Sequence, residues 1–85
     1  MRPRPSPDVV SRSLGEFGVL VHLKTHEIFQ LNETGARIWQ LLVAHDSVDS
    51  MVAALVEEFH VDIATARHET LALLAELFDR GLIER

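Results

Sequence analysis

Between Val19 and Leu42 the apolar positions change period from two to about 3.6, and the change falls at Asn32. Val19, Val21 and Leu23 share one side of an extended segment, and Phe29 and Leu31 alternate after a polar turn at Thr25 and His26. This pattern predicts two antiparallel strands over residues 18–24 and 27–31, joined by a two-residue hairpin that lacks the usual glycine. Asn32 then suits a helix N-cap, because its side chain can accept a bond from an orphan backbone N–H of the first turn. Ile38, Trp39 and Leu42 recur at helical spacing and place a first helix over residues 33–44, with Trp39 in the core. Gly35 lets a neighbour approach that helix closely.

Upstream, Val9 and Val10 mark another short strand over residues 8–13, followed by a turn near Gly15. Residues 1–7 hold three prolines and two arginines, which oppose both strand pairing and helix, so they are expected to form a mobile tail outside a domain of residues 8–85. Downstream of a loop at 45–48, Asp49 is the expected N-cap of a second helix with Met51, Val52, Leu55, Val56 and Phe59 on one stripe. His60 and Val61 break it. Asp62 caps a third helix that runs to Arg80, where Gly81 and Leu82 fit a Schellman ending. On this third helix Leu71, Leu74, Leu77 and Phe78 form one stripe while Ala72 and Leu73 point partly elsewhere, leaving apolar surface for something besides the core. The expected class is α+β: a three-stranded antiparallel sheet followed by three helices, the layout of a winged helix-turn-helix with its hairpin placed first.

Composition narrows the function classes. A chain of 85 residues is one domain and buries only about 60 to 65% of its unfolded surface, which leaves little room for an elaborate cleft. With 47% hydrophobic and 25% charged residues it belongs with ordinary globular domains. No cysteine is present, which removes disulfides and thiolate chemistry and fits a cytoplasmic setting. The start M-R-P-R-P-S-P has no apolar stretch of the secretory kind, and no apolar run approaches a membrane span. A net charge of -5 disfavours nucleic acid, whose affinity for proteins comes largely from Lys and Arg at phosphates. The third helix opens D-I-A-T-A-R-H-E-T with Arg67 alone among acids and small residues, a poor recognition helix, so a winged-helix DNA-binding regulator is the weaker reading.

Of the five histidines, His22, His26, His45, His60 and His68, the pair four residues apart, His22 and His26, lies on the hairpin and not on a helix and has no third ligand, so no metal is expected. Ser11, Ser13, Ser47 and Ser50 lie in no nucleophile elbow, so no catalytic residue, cofactor or enzymatic activity is assigned. One feature does suggest binding. The strand at 27–31 is a candidate sheet edge, and an unpaired edge offers N–H and C=O groups to an extended peptide.

The run H-L-K-T-H-E-I-F-Q-L-N-E-T-G-A-R-I-W, from His22 to Trp39, and the terminal L-L-A-E-L-F-D-R-G-L-I, from Leu73 to Ile83, resemble a known family. It comprises the PqqD-like recognition elements of ribosomal-peptide tailoring systems, typified by the pyrroloquinoline quinone biosynthesis chaperone. Residues 8–83 fit the pattern. The H-L-K-T hairpin and G-A-R-I-W helix start depart from the quinone chaperone and favour the lasso-peptide branch.

The resemblance implies a stand-alone protein that captures the leader of a precursor peptide as a strand added along the third strand, beside the third helix. It also implies delivery of that peptide to a separate leader peptidase and macrolactam cyclase. The backbone of Glu27, Ile28, Phe29, Gln30 and Leu31 would set register. Ile28, Ala72, Leu73 and Leu77 would supply apolar pockets, with Glu69, Glu76 and Arg80 at the rim. The quinone-type chaperone serving a radical SAM enzyme stays open as the alternative.

Overall fold

The computed structural model describes residues 2–84. Strands β1 (Arg4–Pro5), β2 (Val9–Leu14), β3 (Phe17–His22) and β4 (Ile28–Leu31) precede helices α1 (Glu33–Val43), α2 (Val48–Phe59) and α3 (Ile63–Asp79), and β5 (Ile83–Glu84) ends the chain. β2, β3 and β4 form a three-stranded antiparallel sheet in sequence order, so the expected α+β layout of sheet and three helices is present. One face of the sheet, carrying Leu20 and Leu31, packs on the helices. The core joins these to Ile38 and Leu42 of α1, Met51, Val52 and Leu55 of α2, and Leu74 and Leu77 of α3.

Local chemistry explains the helix ends. Asn32 Oδ1 accepts the Gly35 N–H at 2.8 Å, and Asp62 accepts the Thr65 N–H at 3.3 Å, so both residues cap the helices they precede. α2 is capped by Ser47, not by Asp49. The Ser47 hydroxyl accepts the Ser50 N–H at 3.2 Å, and Asp49 moves into the first turn, where it pairs with Arg67 at 3.2 Å. α3 ends as expected: Leu82 N–H donates to the Leu77 carbonyl at 2.9 Å and Gly81 N–H to Phe78 at 3.0 Å, with Gly81 at a φ of 70°.

Both hairpins carry a residue at positive φ. Gly15, at φ 69°, opens the two-residue turn between Leu14 and Phe17. The β3–β4 connection is longer than the two-residue Thr25-His26 turn expected from sequence. It runs through residues 23–27, with His26 at φ 65° and its N–H donating to the His22 carbonyl at 2.8 Å. Both primed two-residue turns need positive φ at the first central position, which β-branched Thr25 resists. Instead the buried His22 imidazole organises the loop, its Nδ1 accepting the Lys24 and Thr25 N–H groups at 3.2 and 3.3 Å.

Residues 1–7 were expected to be a mobile tail. Met1 lies outside the described residues, but Arg4 pairs with Glu84 and Pro5 with Ile83 in a second, two-stranded sheet. Pro3 is fully buried, and Ser6 N–H donates to the Leu82 carbonyl at 3.1 Å. Proline is tolerated here because the ribbon is an edge whose bonds need only some of the N–H groups.

Candidate functional site

β4 pairs with β3 on one side and, among the described residues, with nothing on the other. The ladder determines which of its groups are free. His22 N–H donates to the Glu27 carbonyl at 3.0 Å, which makes His22 and Glu27 a hydrogen-bonded pair. Antiparallel pairs alternate between bonded and non-bonded. Leu20 with Phe29 and Gly18 with Leu31 are therefore bonded pairs, whereas Val21 with Ile28 and Val19 with Gln30 are not. The N–H and C=O of Phe29 and Leu31 turn toward β3, and those of Ile28 and Gln30 turn to the open edge. The edge thus offers four backbone groups, from two of the residues expected to set register rather than from all of 27–31.

Alongside that edge lies an open cleft of about 600 Å³. Phe29, Gln30 and Leu31 form its strand wall, and Asn32, Thr34, Gly35 and Ile38 its floor at the start of α1. His68, Glu69, Ala72, Leu73 and Glu76 form the helical wall. The N-cap at Asn32 creates the corner, because it turns the chain from strand to helix within one residue. A methyl group at Gly35 would sit 3.2 Å from Asn32 Oδ1 and 3.4 Å from a Leu31 methyl, so glycine keeps the floor low.

Of the residues expected at a peptide site, Phe29, Gln30, Leu31, Glu69, Ala72, Leu73 and Glu76 come together around this cleft. Glu27 and Arg80 stand at one end. The Arg80 guanidinium lies 5.1 Å from the Phe29 ring centroid, 3.3 Å from Glu76 and 4.0 Å from Glu27, tying α3 to β4. Two residues are placed otherwise. Leu77 is 0% exposed and belongs to the core, so it supplies no pocket surface. Ile28 is 66% exposed but alternates with Phe29 and projects from the opposite face of the sheet. Leu71, expected on the core stripe, is exposed, while Ala66 and Thr70 are buried in its stead. His68 was not anticipated; its spacing of four from Ala72 and eight from Glu76 puts it on their face of α3.

The shortest ion pair among the described residues stands away from the cleft. Arg37 grips Glu58 in a bidentate pair at 2.8 and 3.0 Å, and this hydrogen bonding raises the Arg37 pKa and lowers that of Glu58. The Thr65 hydroxyl and N–H hold the Asp62 carboxyl below its ordinary range. Among the described residues no group of His, Asp and Glu is arranged to hold a metal ion, and no helix is long and apolar enough to cross a membrane.

A small α+β domain with an open strand edge beside a cleft of mixed apolar and polar lining is a scaffold that can accept an added strand. Comparison places it further. Residues 18–83 match the family model described as coenzyme PQQ synthesis protein D, and the chain belongs to this PqqD family. Two solved structures share its fold across nearly the full length. TbiB1 in complex with the TbiA(beta) leader peptide is 33% identical, with a TM-score of 0.90 over 95% of this chain and 94% of that one. Lasso peptide synthetase B1 complexed with the leader peptide is 26% identical, with a TM-score of 0.91 over 100% of both chains. No curated protein sequence matches the chain.

Proposed function

We propose that this chain is the leader-binding protein of a lasso peptide pathway, taking the leader of a precursor peptide as an antiparallel strand along β4. The observation that carries the reading is the unpaired edge of Ile28 and Gln30 beside the cleft walled by Leu73 and Ala72. The two similar structures, both complexes with leader peptides, support it. The domain performs no bond chemistry of its own. It holds the leader so that the downstream segment reaches a separate leader peptidase and macrolactam cyclase at raised local concentration, in the cytoplasm. We read the arrangement of α2, α3 and the hairpin as a winged helix-turn-helix adapted to peptide rather than to DNA. Arg67, the lone cation early in α3, is paired with Asp49, which fits that reading.

The test is fluorescence polarisation with a fluorescein-labelled leader of a candidate lasso-peptide precursor. Saturable binding is expected, with backbone chemical shifts of Ile28, Gln30 and the Glu69 to Glu76 face of α3 moving together. Absence of binding, or shifts confined to other surfaces, refutes the proposal. The family model's description as a coenzyme PQQ synthesis protein keeps one other reading open; on it the domain is a peptide chaperone that serves a radical SAM enzyme. The same assay with a quinone-cofactor precursor separates the two.

A further inference from the structure

We infer that the bound leader is read on both faces of the sheet, and that Ile28 is a specificity-determining residue selecting a branched or aromatic leader side chain on the outer face. This rests on the leader-binding reading. The ladder aligns Val10, Val21 and Ile28 in one row across β2, β3 and β4. All three project from the face turned away from the helices, with Val10 44% and Ile28 66% exposed. The row ends at the open edge, and the next position along it is the one a docked strand fills.

Parity settles which leader residues go where. The leader must bond to the outward N–H and C=O of Ile28 and Gln30, so the residues opposite these two form hydrogen-bonded pairs and carry their side chains on the outer face. The leader residues opposite Phe29 and Leu31 form the closer, non-bonded pairs and send their side chains into the cleft. Recognition therefore follows a four-residue alternation. An outward apolar side chain beside Ile28 is followed by an inward apolar one beside Phe29. Next comes an outward polar one beside Gln30, in the row shared with Arg12 and Val19, and then an inward apolar one above Leu31. A branched or aromatic partner continues the apolar row, and such cross-strand pairs are the ones that stabilise sheets.

The test is a charge-swap cycle by fluorescence polarisation, using the labelled leader of the candidate lasso-peptide precursor and a set of leaders with single substitutions to Glu. Ile28→Lys is expected to weaken the natural leader by about tenfold. Val43→Lys, at another exposed apolar residue on α1, should leave affinity unchanged. One Glu-substituted leader, and only one whose position alternates with the inward anchors, should bind Ile28→Lys at least about fivefold better than it binds the wild-type domain. The inference is overturned if Ile28→Lys binds the natural leader as the wild type does, or if no Glu position prefers the Lys variant. A wild-type domain that binds no leader overturns the underlying proposal as well, so the two failures are distinct. Because Ile28 is solvent-exposed, Ile28→Lys should keep the wild-type circular dichroism spectrum.

Discussion

Proline placed at successive positions of β4 separates the edge that docks a peptide from the edge that holds the sheet together. In the ladder derived above, the Gln30 N–H faces the open side and the Phe29 N–H bonds to Leu20. Gln30→Pro therefore deletes no bond within the fold. Proline is tolerated on edge strands, and the preceding Phe29 is already extended as an X-Pro bond prefers. The expected destabilisation is about 1 kcal/mol or less, from bending the strand toward the proline φ, equivalent to a Tm drop of under about 8 °C. Binding should suffer far more. One hydrogen bond worth about 1 kcal/mol disappears, and the leader carbonyl it served is left unsatisfied at about 1 to 3 kcal/mol. A total of about 2 to 4 kcal/mol corresponds to a Kd raised about 30- to 1,000-fold. Phe29→Pro should behave in the opposite sense: it removes a ladder bond and the half-buried ring that Arg80 covers, at about 3 kcal/mol or more, and Tm falls by about 12 °C or more. Thermal denaturation followed by circular dichroism and leader titration by fluorescence polarisation read the two effects. A folded Gln30→Pro with wild-type affinity would show that the leader does not dock on β4. A Gln30→Pro variant as unstable as Phe29→Pro would show that the ladder parity is misassigned.

Three further outcomes are expected. Leu73→Asp, on the cleft wall, should raise the leader Kd by about 10- to 100-fold by removing one apolar anchor, while Glu69→Ala at the rim changes it less than about threefold; equal effects in the same titration would contradict the division between wall and rim. Deleting residues 2–7 strips Pro3 and the β1 ribbon from Leu82 and Ile83, a loss of about 2 kcal/mol that calorimetry should register as a Tm lowered by about 8 to 16 °C; an unchanged Tm would mean that β1 adds nothing to stability. Glu58 and Asp62 have depressed folded pKa values, so each contributes stability above its unfolded pKa and loses it as pH falls through the folded value. Tm should therefore drop below about pH 4, and less steeply in a Glu58→Gln, Asp62→Asn double variant; identical acid profiles would remove these two carboxylates from the account.

How far the sequence could be read depended on how local the deciding interaction was. Asn32, Asp62 and the Gly81-Leu82 ending were legible because each device is complete within six residues: a side chain and the N–H or carbonyl it bonds. Ser47 and Asp49 are both capping residues two positions apart, and only the Ser50 N–H direction decides between them. The β1 ribbon was hidden because its partner lies at the far end of the chain, and a proline-rich segment carries no sign of a distant strand. In I-F-Q-L the alternation of Phe29 and Leu31 already puts Ile28 on the other face of the strand, so its distance from the cleft was legible in the sequence. Leu77 was not legible in this way. On α3 apolar residues cover more than one face, and the choice between core and cleft is made by where β4 and α1 pack.

In the proposed complex, backbone pairing and side-chain anchoring have different roles, and the magnitudes require both. The four outward groups of Ile28 and Gln30 contribute about 4 kcal/mol net at about 1 kcal/mol each. Ordering a disordered leader costs about 2 to 5 kcal/mol, so the edge by itself leaves almost nothing. Two inward side chains, opposite Phe29 and Leu31, add about 1.5 to 3 kcal/mol each when buried in the cleft. Only with both well filled does the sum approach the roughly 8 kcal/mol of a micromolar complex. Hydrogen bonds to a backbone edge read no sequence, since every leader residue except proline presents the same N–H and C=O. Selectivity between precursors must then come from the side chains that parity sends into the cleft and onto the outer face. The hairpin sets which residues those are. By terminating the β3–β4 ladder at the His22–Glu27 pair, it determines that Ile28 and Gln30, and not Phe29 and Leu31, turn their backbones outward. A one-residue slip of β4 would expose the same number of hydrogen-bonding groups while turning every leader side chain to the wrong face.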